Sequence, residues 1–232
     1  MRMRTSPAVL LSACLLALLV AACAPTSQAP RTSVQEASRP AGFYPSQTGA
    51  RWEYLPNNAP VSASPTVSTV EGPRVVGDDV LIAWRVIGGG LDHSHFRSYA
   101  ADGVRLHART YPGASMSFDP PLLEYPAQAQ LVRGASWGGS STVSVSQPGA
   151  PPEHRRTSYE VSYRYTVVDR RRVRVEAGEF DVYVINLVTR ETTGADTTVL
   201  TQEIWFSPYA GEIRNVSGEY LTSLNFTPTL PQ

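Results

Sequence analysis

Apolar and polar residues alternate along much of the chain, and this pattern predicts β-strands. The clearest segment is 159–167, where Tyr or Val occupies every second position and polar residues lie between them. Because successive side chains of a strand point to opposite faces, one face of this segment is apolar and the other is polar. Segment 180–188 is apolar at nearly every position instead, which predicts a strand that is covered on both sides.

Turn-forming residues separate these segments at intervals that are typical of antiparallel sheets. Gly77-Asp78, Asp102-Gly103 and 193–196 predict tight turns, and 149–152 predicts a longer loop. The other predicted strands are 67–70, 80–87, 95–99, 104–110, 141–146, 170–175, 197–206, 212–216 and 220–225. No long stretch of the mature chain shows a helical repeat. About ten short strands predict an all-β fold, either a single antiparallel sandwich or a barrel or half-barrel.

The N-terminal region has the pattern of an export signal. Arg2 and Arg4 precede an apolar run over 8–22, which is too short to span a bilayer as a helix. The run ends Val20-Ala21-Ala22-Cys23, which resembles the lipobox of bacterial lipoproteins, with valine where leucine is more usual. This resemblance implies a diacylglyceryl thioether on Cys23, cleavage before that residue, and a membrane partner that is reached through acyl chains.

An ordinary cleaved signal that happens to lie beside a cysteine is the alternative interpretation. Cys14 lies inside the predicted signal, so Cys23 is the only cysteine of the mature chain and no intrachain disulfide can form. Residue 24 is alanine rather than aspartate, and by the sorting rule of many two-membrane bacteria this permits transfer to the outer membrane. We therefore expect a cell-envelope protein that is lipid-anchored, in the outer membrane if the bacterium has two membranes.

Composition divides the chain into four parts. Residues 1–22 are predicted to be the signal peptide, and 23–41 the lipidated cysteine with a flexible tether rich in Pro, Ser, Thr and Ala. Residues 42–228 are predicted to form the β domain, and 229–232 the C-terminal tail.

Charge excludes one class of function. The chain carries 20 basic and 20 acidic residues, and all of the basic residues are arginine. Removing Arg2 and Arg4 with the signal would leave a net charge of about −2. A nucleic-acid-binding protein would show a basic excess, so we expect no nucleic-acid partner. Because a near-neutral body is only weakly attracted to anionic head groups, the lipid is expected to hold the protein at the membrane.

A short motif occurs twice. Phe43-Tyr44-Pro45 is followed by 49–52, Gly-Ala-Arg-Trp, and Glu124-Tyr125-Pro126 is followed by 134–137, Gly-Ala-Ser-Trp, after a spacer that is four residues longer. A glycine suits a tight turn, and a tryptophan can anchor the strand that follows in a core. The two copies therefore indicate two related β units.

The second copy and two later motifs resemble those of uncharacterised bacterial lipoproteins of the TapB-like kind. The later motifs are Val175 to Asp181, similar to their Ala-Gly-x-Phe turn, and 205–213, similar to their Trp-Phe-x-Pro-x-x-Gly-x-Val. The order of the motifs matches over 122–216, and the four-residue insertion before Gly134 departs from the usual spacing. The resemblance implies an exported antiparallel β fold, and it implies no activity, cofactor or catalytic residue.

Catalytic motifs are weakly represented. The segment 134–138 fits the Gly-x-Ser-x-Gly pattern around Ser136, but a nucleophile elbow needs a helix after the serine and a suitable acid and histidine downstream. His93 and His95 would share one strand face beside Asp92, a spacing that can bind a metal, and the alternative is that they are polar residues at the start of a strand. We expect no enzyme activity, no cofactor and no metal, with His93 and His95 as the candidate ligands if a metal does bind.

The sequence favours a non-catalytic binding or scaffolding domain in the cell envelope. Its expected partner is an envelope protein, a glycan or a lipid, and its ligand-binding residues are not identifiable from the sequence. The alternative is a carrier of lipid or of another hydrophobic ligand. A carrier needs an enclosed apolar cavity of about several hundred Å³.

Overall fold

Twelve strands form a closed antiparallel barrel in the computed structural model, which describes residues 42–60 and 62–228. The all-β prediction is confirmed, and among its alternatives the structure is the barrel. Within the described residues, no helix is long and apolar enough to cross a membrane. The predicted signal peptide, tether and C-terminal tail lie outside the described residues.

The strands follow one another around the barrel, with two short 3-10 turns between them. The strands are β1 (Arg51–Leu55), β2 (Thr66–Val76), β3 (Asp79–Gly88), β4 (Leu91–Ala100), β5 (Gly103–Tyr111), β6 (Ala114–Pro126), β7 (Ser136–Ser146), β8 (Arg156–Val175), β9 (Gly178–Thr193), β10 (Asp196–Ser207), β11 (Gly211–Arg214) and β12 (Tyr220–Leu224). The 3-10 turns are Gln128–Gln130 and Pro152–His154.

Pairing between the first and last strands closes the barrel. Each strand pairs with its neighbour in the sequence, and β1 also pairs with β12, where Trp52 lies opposite Leu224 and Tyr54 opposite Leu221. Closure removes the free sheet edges that could pair with other chains. The neighbouring strands are therefore held on both sides along the whole ring.

The structure has more strands than the sequence predicted, and some of them are longer. The predicted segments 159–167 and 170–175 belong to one 20-residue strand, β8. Strand β6 was not predicted, because Pro120 and Pro121 interrupt its pattern. The structure accommodates them in an irregularity of the β5–β6 pairing, where Ala108 lies opposite Ser117 but Leu106 lies opposite Leu122. The residues between these pairs need no ladder hydrogen bond to β5.

The two copies of the repeated motif occupy equivalent places in the barrel. The N–H of Gly49 donates to the carbonyl oxygen of Val70 on β2 at 2.8 Å, and the N–H of Gly134 donates to that of Val167 on β8, also at 2.8 Å. Both glycines have positive φ, 86° and 87°, which favours glycine at each turn. The two copies therefore enter the sheet in the same way, one before the first half of the barrel, β1–β6, and one before the second half, β7–β12.

Aromatic side chains from both halves fill the centre. Tyr44, from the segment before β1, is 4% exposed and packs against Trp84, Tyr99, Tyr125 and Phe206 with ring centroids 5.1 to 6.0 Å apart. A second, smaller cluster lies between β5, β6, β7 and β8, around Leu106, Phe118, Val143 and Val161. The segment that enters β1 is thus an integral part of the core.

The β8–β9 hairpin buries apolar side chains along part of its length and exposes charged ones towards its turn. Val182 and Val184 on β9 are buried, and so are Ile185 and Leu187, so apolar side chains of both strand faces are buried in the middle of the predicted segment 180–188. Towards the turn, Arg172 and Asp181 form an exposed ion pair at 3.1 Å. This end of the hairpin is charged and solvated, and such a pair contributes little to stability.

Candidate functional site

A small cavity lies inside the first half of the barrel, with a volume of about 90 Å³. Strands β1 to β4 form most of its wall, and the start of β11 and the following turn complete it. Its lining combines aromatic, polar and charged side chains, which are Tyr44, Trp52, Tyr54, Thr66, Ser68, Trp84, Val86, Leu91, His93, His95, Arg97, Glu212, Asn215, Val216 and Ser217, with the backbone of Gly211. A few convergent polar groups in a mainly apolar wall are typical of a ligand site.

Hydrogen bonds fix the tryptophans of the wall. The rings of Trp52 and Trp84 stack with centroids 4.7 Å apart. Trp52 Nε1 donates to the carbonyl oxygen of Ala210 at 2.7 Å, and Trp84 Nε1 donates to Tyr99 Oη at 2.8 Å. Because both the ring planes and their polar ends are held, this wall is rigid without a ligand.

A buried ion pair borders the cavity. Arg97 Nε donates to Glu124 Oε2 at 2.6 Å, and Arg97 Nη2 donates to Glu124 Oε1 at 3.2 Å. The two side chains are 7% and 11% exposed, and the guanidinium lies 5.0 Å from the ring centroid of Trp84. Burial by itself lowers the pKa of Arg97, but Glu124, Tyr44 and Tyr99 together raise it well above its ordinary value, so the guanidinium stays charged.

Glu212 on β11 lies in the cavity with neutral hydrogen-bond partners. Tyr125 Oη donates to Glu212 Oε1 at 2.7 Å, and Tyr54 Oη donates to the carbonyl oxygen of Glu212 at 3.0 Å. Burial raises the pKa of Glu212, against smaller lowering effects from Tyr125 and Arg97. The ion pairs formed by the described residues do not include Glu212.

The structure brings the two candidate metal ligands together. His93 and His95 both line the cavity from β4, with ring centroids 4.7 Å apart. Burial lowers the pKa of both imidazoles, and the positive charges of Arg97 and Arg109 lower them further, so both rings are neutral at neutral pH. Asp92, the third residue of the cluster, instead forms an ion pair with Arg85.

The described part of the chain contains no group of three or more His, Cys, Asp or Glu side chains that could hold a metal ion. The expectation of no metal, with His93 and His95 as the candidate ligands if one does bind, stays a prediction.

Ser136 lies outside the interior cavity. It is the first residue of β7, and its Oγ is 3.0 Å from Thr166 Oγ1 on β8. It lines a separate surface depression with Gly138 and Gly139. A strand follows Ser136 where a nucleophile elbow requires a helix. Cys23, the predicted lipid-attachment residue, lies outside the described residues.

Sequence reasoning did not identify Arg97, Glu124 or Glu212 as parts of a site. Arg97 lies on the same alternating face as His93, His95 and Tyr99, and a charged residue in a core-facing position is a detectable signal. Its partner is not detectable in the same way, because Glu124 meets Arg97 only through the arrangement of β4 and β6 in the closed barrel.

An open groove of about 1020 Å³ runs beside the β8–β9 hairpin, outside the interior cavity. Aromatic side chains line it, namely those of Phe180, Tyr183, Tyr209 and Phe226. Tyr209 has a φ of 68°, which is strained for a residue with a side chain, and its N–H donates to the carbonyl oxygen of Phe43 at 2.6 Å.

Comparison with known proteins finds similarity only at the level of structure. No family model matches the chain, and no curated protein matches it. Similar solved structures include a protein of Bacteroides fragilis that is proposed to be exported and has a YmcC-like fold, with 15% identity and a TM-score of 0.47 over 79% of this chain and 99% of that one.

Two further similar structures are lipoproteins by name. One is proposed to be a lipoprotein in Parabacteroides distasonis, with 13% identity and a TM-score of 0.43 over 79% of this chain and 98% of that one. The other is the hypothetical lipoprotein YmcC of Escherichia coli K12, with 11% identity and a TM-score of 0.39 over 75% of this chain and 83% of that one. At such values the matches carry no argument about function, and the TapB-like resemblance stays a prediction.

Proposed function

We propose that the chain is a cell-envelope lipoprotein that binds a small molecule inside its barrel without transforming it. Acyl chains on Cys23 hold it at the membrane, and the segment over 24–41 links the anchor to the barrel. Ala24 permits transfer to the outer membrane in a two-membrane bacterium. The cavity bordered by Trp52, Trp84 and Glu212 is the ligand site.

The composition of that cavity is the observation that carries the proposal. Buried polar groups without a protein partner are costly, and sites that bind ligands are where such groups persist. Here His93 Nδ1 is buried without a hydrogen-bond partner among the described residues, and the Glu212 carboxyl accepts a hydrogen bond from Tyr125 but forms no ion pair with them. A bound ligand would supply the missing interactions.

Binding is favoured over catalysis because the reactive groups are apart or already engaged. Ser136 and the histidines line different depressions, so the serine has no imidazole at its side in either of them. Arg97 is committed to Glu124 by two hydrogen bonds. This arrangement supports a site that holds a molecule in place.

A lipid carrier is the second candidate, and it would use a different place. A volume of 90 Å³ is well below the roughly 300–1,000 Å³ of sites for larger ligands. The open groove lined by Phe180, Tyr183 and Phe226 is large enough, and these aromatic side chains offer contacts to an apolar ligand beside the charged side chains of the same groove. Native mass spectrometry of the protein purified from its own host tests this candidate. A carrier should co-purify with a lipid, and the Phe180→Ser variant should lose that lipid.

The anchor is tested by Cys23→Ser. We expect the variant to leave the membrane fraction and the wild type to remain there after a high-salt wash, with the mass of acyl chains on its first residue. Cys14→Ser is the matched control, since Cys14 lies inside the predicted signal, and it should stay with the membrane. A Cys23→Ser protein that resists washing would contradict the anchor.

The binding site is tested by filling the cavity. Ser68 on β2 lines it, so Ser68→Trp should abolish the binding of any small molecule detected by ligand-observed NMR in a mixed panel of amines, acids and sugars. Thr69→Trp is the control, because neighbouring residues of a strand point to opposite faces. The proposal fails if no compound binds, or if the two variants bind alike.

A further inference from the structure

Glu212 is the acidic group of the interior cavity that lacks a counter-ion among the described residues. The other charged group of the lining is Arg97, which is already neutralised by two hydrogen bonds to Glu124. The imidazoles of His93 and His95 add no positive charge, because burial and the nearby arginines keep them neutral. The cavity can therefore accommodate one positive charge beside the Glu212 carboxyl.

The wall around this carboxyl is aromatic. The rings of Tyr44, Trp52 and Tyr54 line the same cavity, and Tyr54 Oη is hydrogen-bonded to the backbone of Glu212 itself. The negative faces of aromatic rings attract cations, and they do so more strongly in a desolvated site. Rings beside an unpaired carboxylate are the arrangement by which proteins recognise organic ammonium groups.

The size of the cavity limits the ligand. A volume of 90 Å³ corresponds to roughly three water molecules, at a share of about 30 Å³ for each in the liquid. The cavity therefore admits a group of only a few non-hydrogen atoms. This suits a small amine or a head group and excludes a whole lipid.

We propose that the cavity binds a small organic ammonium ion, with the Glu212 carboxylate as its counter-ion and the rings of Tyr44, Trp52 and Tyr54 as its walls. This inference rests on the proposed function and specifies the class of its ligand. A small anion is disfavoured, because it would meet the Glu212 carboxylate and would find Arg97 already occupied by Glu124.

The test uses three ligands of nearly the same shape and different charge. They are choline, which is a cation, 3,3-dimethylbutan-1-ol, which is neutral, and 3,3-dimethylbutanoate, which is an anion. The full chain, processed and purified in a maltoside detergent, is titrated with each by isothermal calorimetry at neutral pH. We expect choline to bind at least tenfold more tightly than the other two. Equal or tighter binding of either isostere would overturn the ammonium assignment, and this comparison needs no variant.

Variants then locate the interaction. Glu212→Gln keeps the shape of the side chain and an oxygen for Tyr125, so it should fold while it weakens choline binding about tenfold or more. Glu203→Gln is the matched control, because Glu203 on β10 is not part of the cavity lining. Choline affinity that is unchanged in Glu212→Gln would contradict the role of this carboxylate.

The outcomes separate this inference from the proposed function. Binding of the neutral or anionic isostere that Ser68→Trp abolishes would leave a binding cavity and refute the ammonium class. Failure of every compound in the mixed panel would refute both. Glycerophosphocholine distinguishes the source of an ammonium ligand: displacement of choline by it indicates a lipid head group, and its exclusion indicates a free amine.

Discussion

Tyr44 and Tyr125, which come from the two copies of one sequence motif, pack against each other with ring centroids 5.1 Å apart. Each ring is nearly fully buried, at 4% and 2% exposure. Tyr125 also donates a hydrogen bond to Glu212, so the contact between the motif copies leads directly to the interior cavity. The repeat thus contributes both to the core and to the candidate site.

The Arg97–Glu124 pair should be much more important for stability than an exposed pair. Arg97→Met leaves Glu124 buried without its partner, and we expect the free energy of unfolding to fall by about 3–5 kcal/mol. Urea denaturation followed by tryptophan fluorescence measures this. The double variant Arg97→Met/Glu124→Leu should recover part of the loss, because it removes both charges.

Arg105→Met is the control for this prediction. Arg105 pairs with Asp102 at 2.7 Å, but the aspartate side chain is 65% exposed, so the loss should be at most about 1 kcal/mol. If Arg97→Met and Arg105→Met lowered the free energy of unfolding equally, burial of the Arg97–Glu124 pair would not increase its contribution to stability.

His95 should make the fold less stable in acid. Burial, Arg97, Arg109 and His93 all lower the pKa of His95 below its ordinary 6.5. The unfolded chain therefore binds a proton at a higher pH than the folded chain does. The stabilising contribution is fully present above pH 6.5 and is lost as the pH falls through the folded pKa. Melting temperatures measured across this range should fall more steeply for the wild type than for His95→Gln.

Glu212 should make the fold less stable as the pH rises, which is opposite to the effect of His95. Its folded pKa is raised above 4.5, mainly by burial, although Tyr125 and Arg97 oppose the rise and Glu124 adds to it. Its stabilising contribution is present below pH 4.5 and is lost as the pH rises through the folded pKa. Glu212→Gln should remove that loss. If the melting temperatures of the wild type, His95→Gln and Glu212→Gln depended on pH in the same way, the pKa shifts of His95 and Glu212 would be contradicted.

Gly138 should tolerate no side chain, whereas its neighbour should. A Cβ at Gly138 would clash with the backbone carbonyl oxygen of Tyr163 on β8, and one at Gly139 would lie 3.5 Å from the Tyr163 hydroxyl, an ordinary contact. We expect Gly138→Ala to lose about 1–3 kcal/mol and Gly139→Ala to change stability by less than about 1 kcal/mol. Thermal unfolding of the two variants measures the difference, and equal melting temperatures would refute the prediction.

This packing also explains the Gly-x-Ser-x-Gly pattern around Ser136. Its second glycine is required by the close approach of β7 to β8, and the pattern therefore has a structural cause in this chain.

Strand prediction succeeded where one face of a strand is buried. The alternation over 159–167 corresponds to β8, in which Val161, Tyr163, Tyr165 and Val167 are buried. It failed at β6, because Pro120 and Pro121 hide a strand whose irregular pairing tolerates them. Local patterns report which side chains are buried, but they do not report how a neighbouring strand adapts to an interruption.

The candidate site could be predicted only in part. The spacing of His93 and His95 placed both on one strand face, and the structure shows their rings 4.7 Å apart. Glu212 gave no signal, because a single acid before an apolar residue resembles many exposed positions. Its importance comes from Tyr125 and from the rings that surround it, which other strands supply.

The amino-acid sequence by itself determined that the described residues form antiparallel strands and that a motif occurs twice, because both depend on residues close together in the chain. Only the tertiary structure decided that the sheet closes, with Trp52 opposite Leu224, and that Arg97 meets Glu124 while Glu212 has no counter-ion among the described residues. These relationships join strands that are distant in sequence. Their physical basis is the closure of the barrel, which brings distant side chains together and removes them from water.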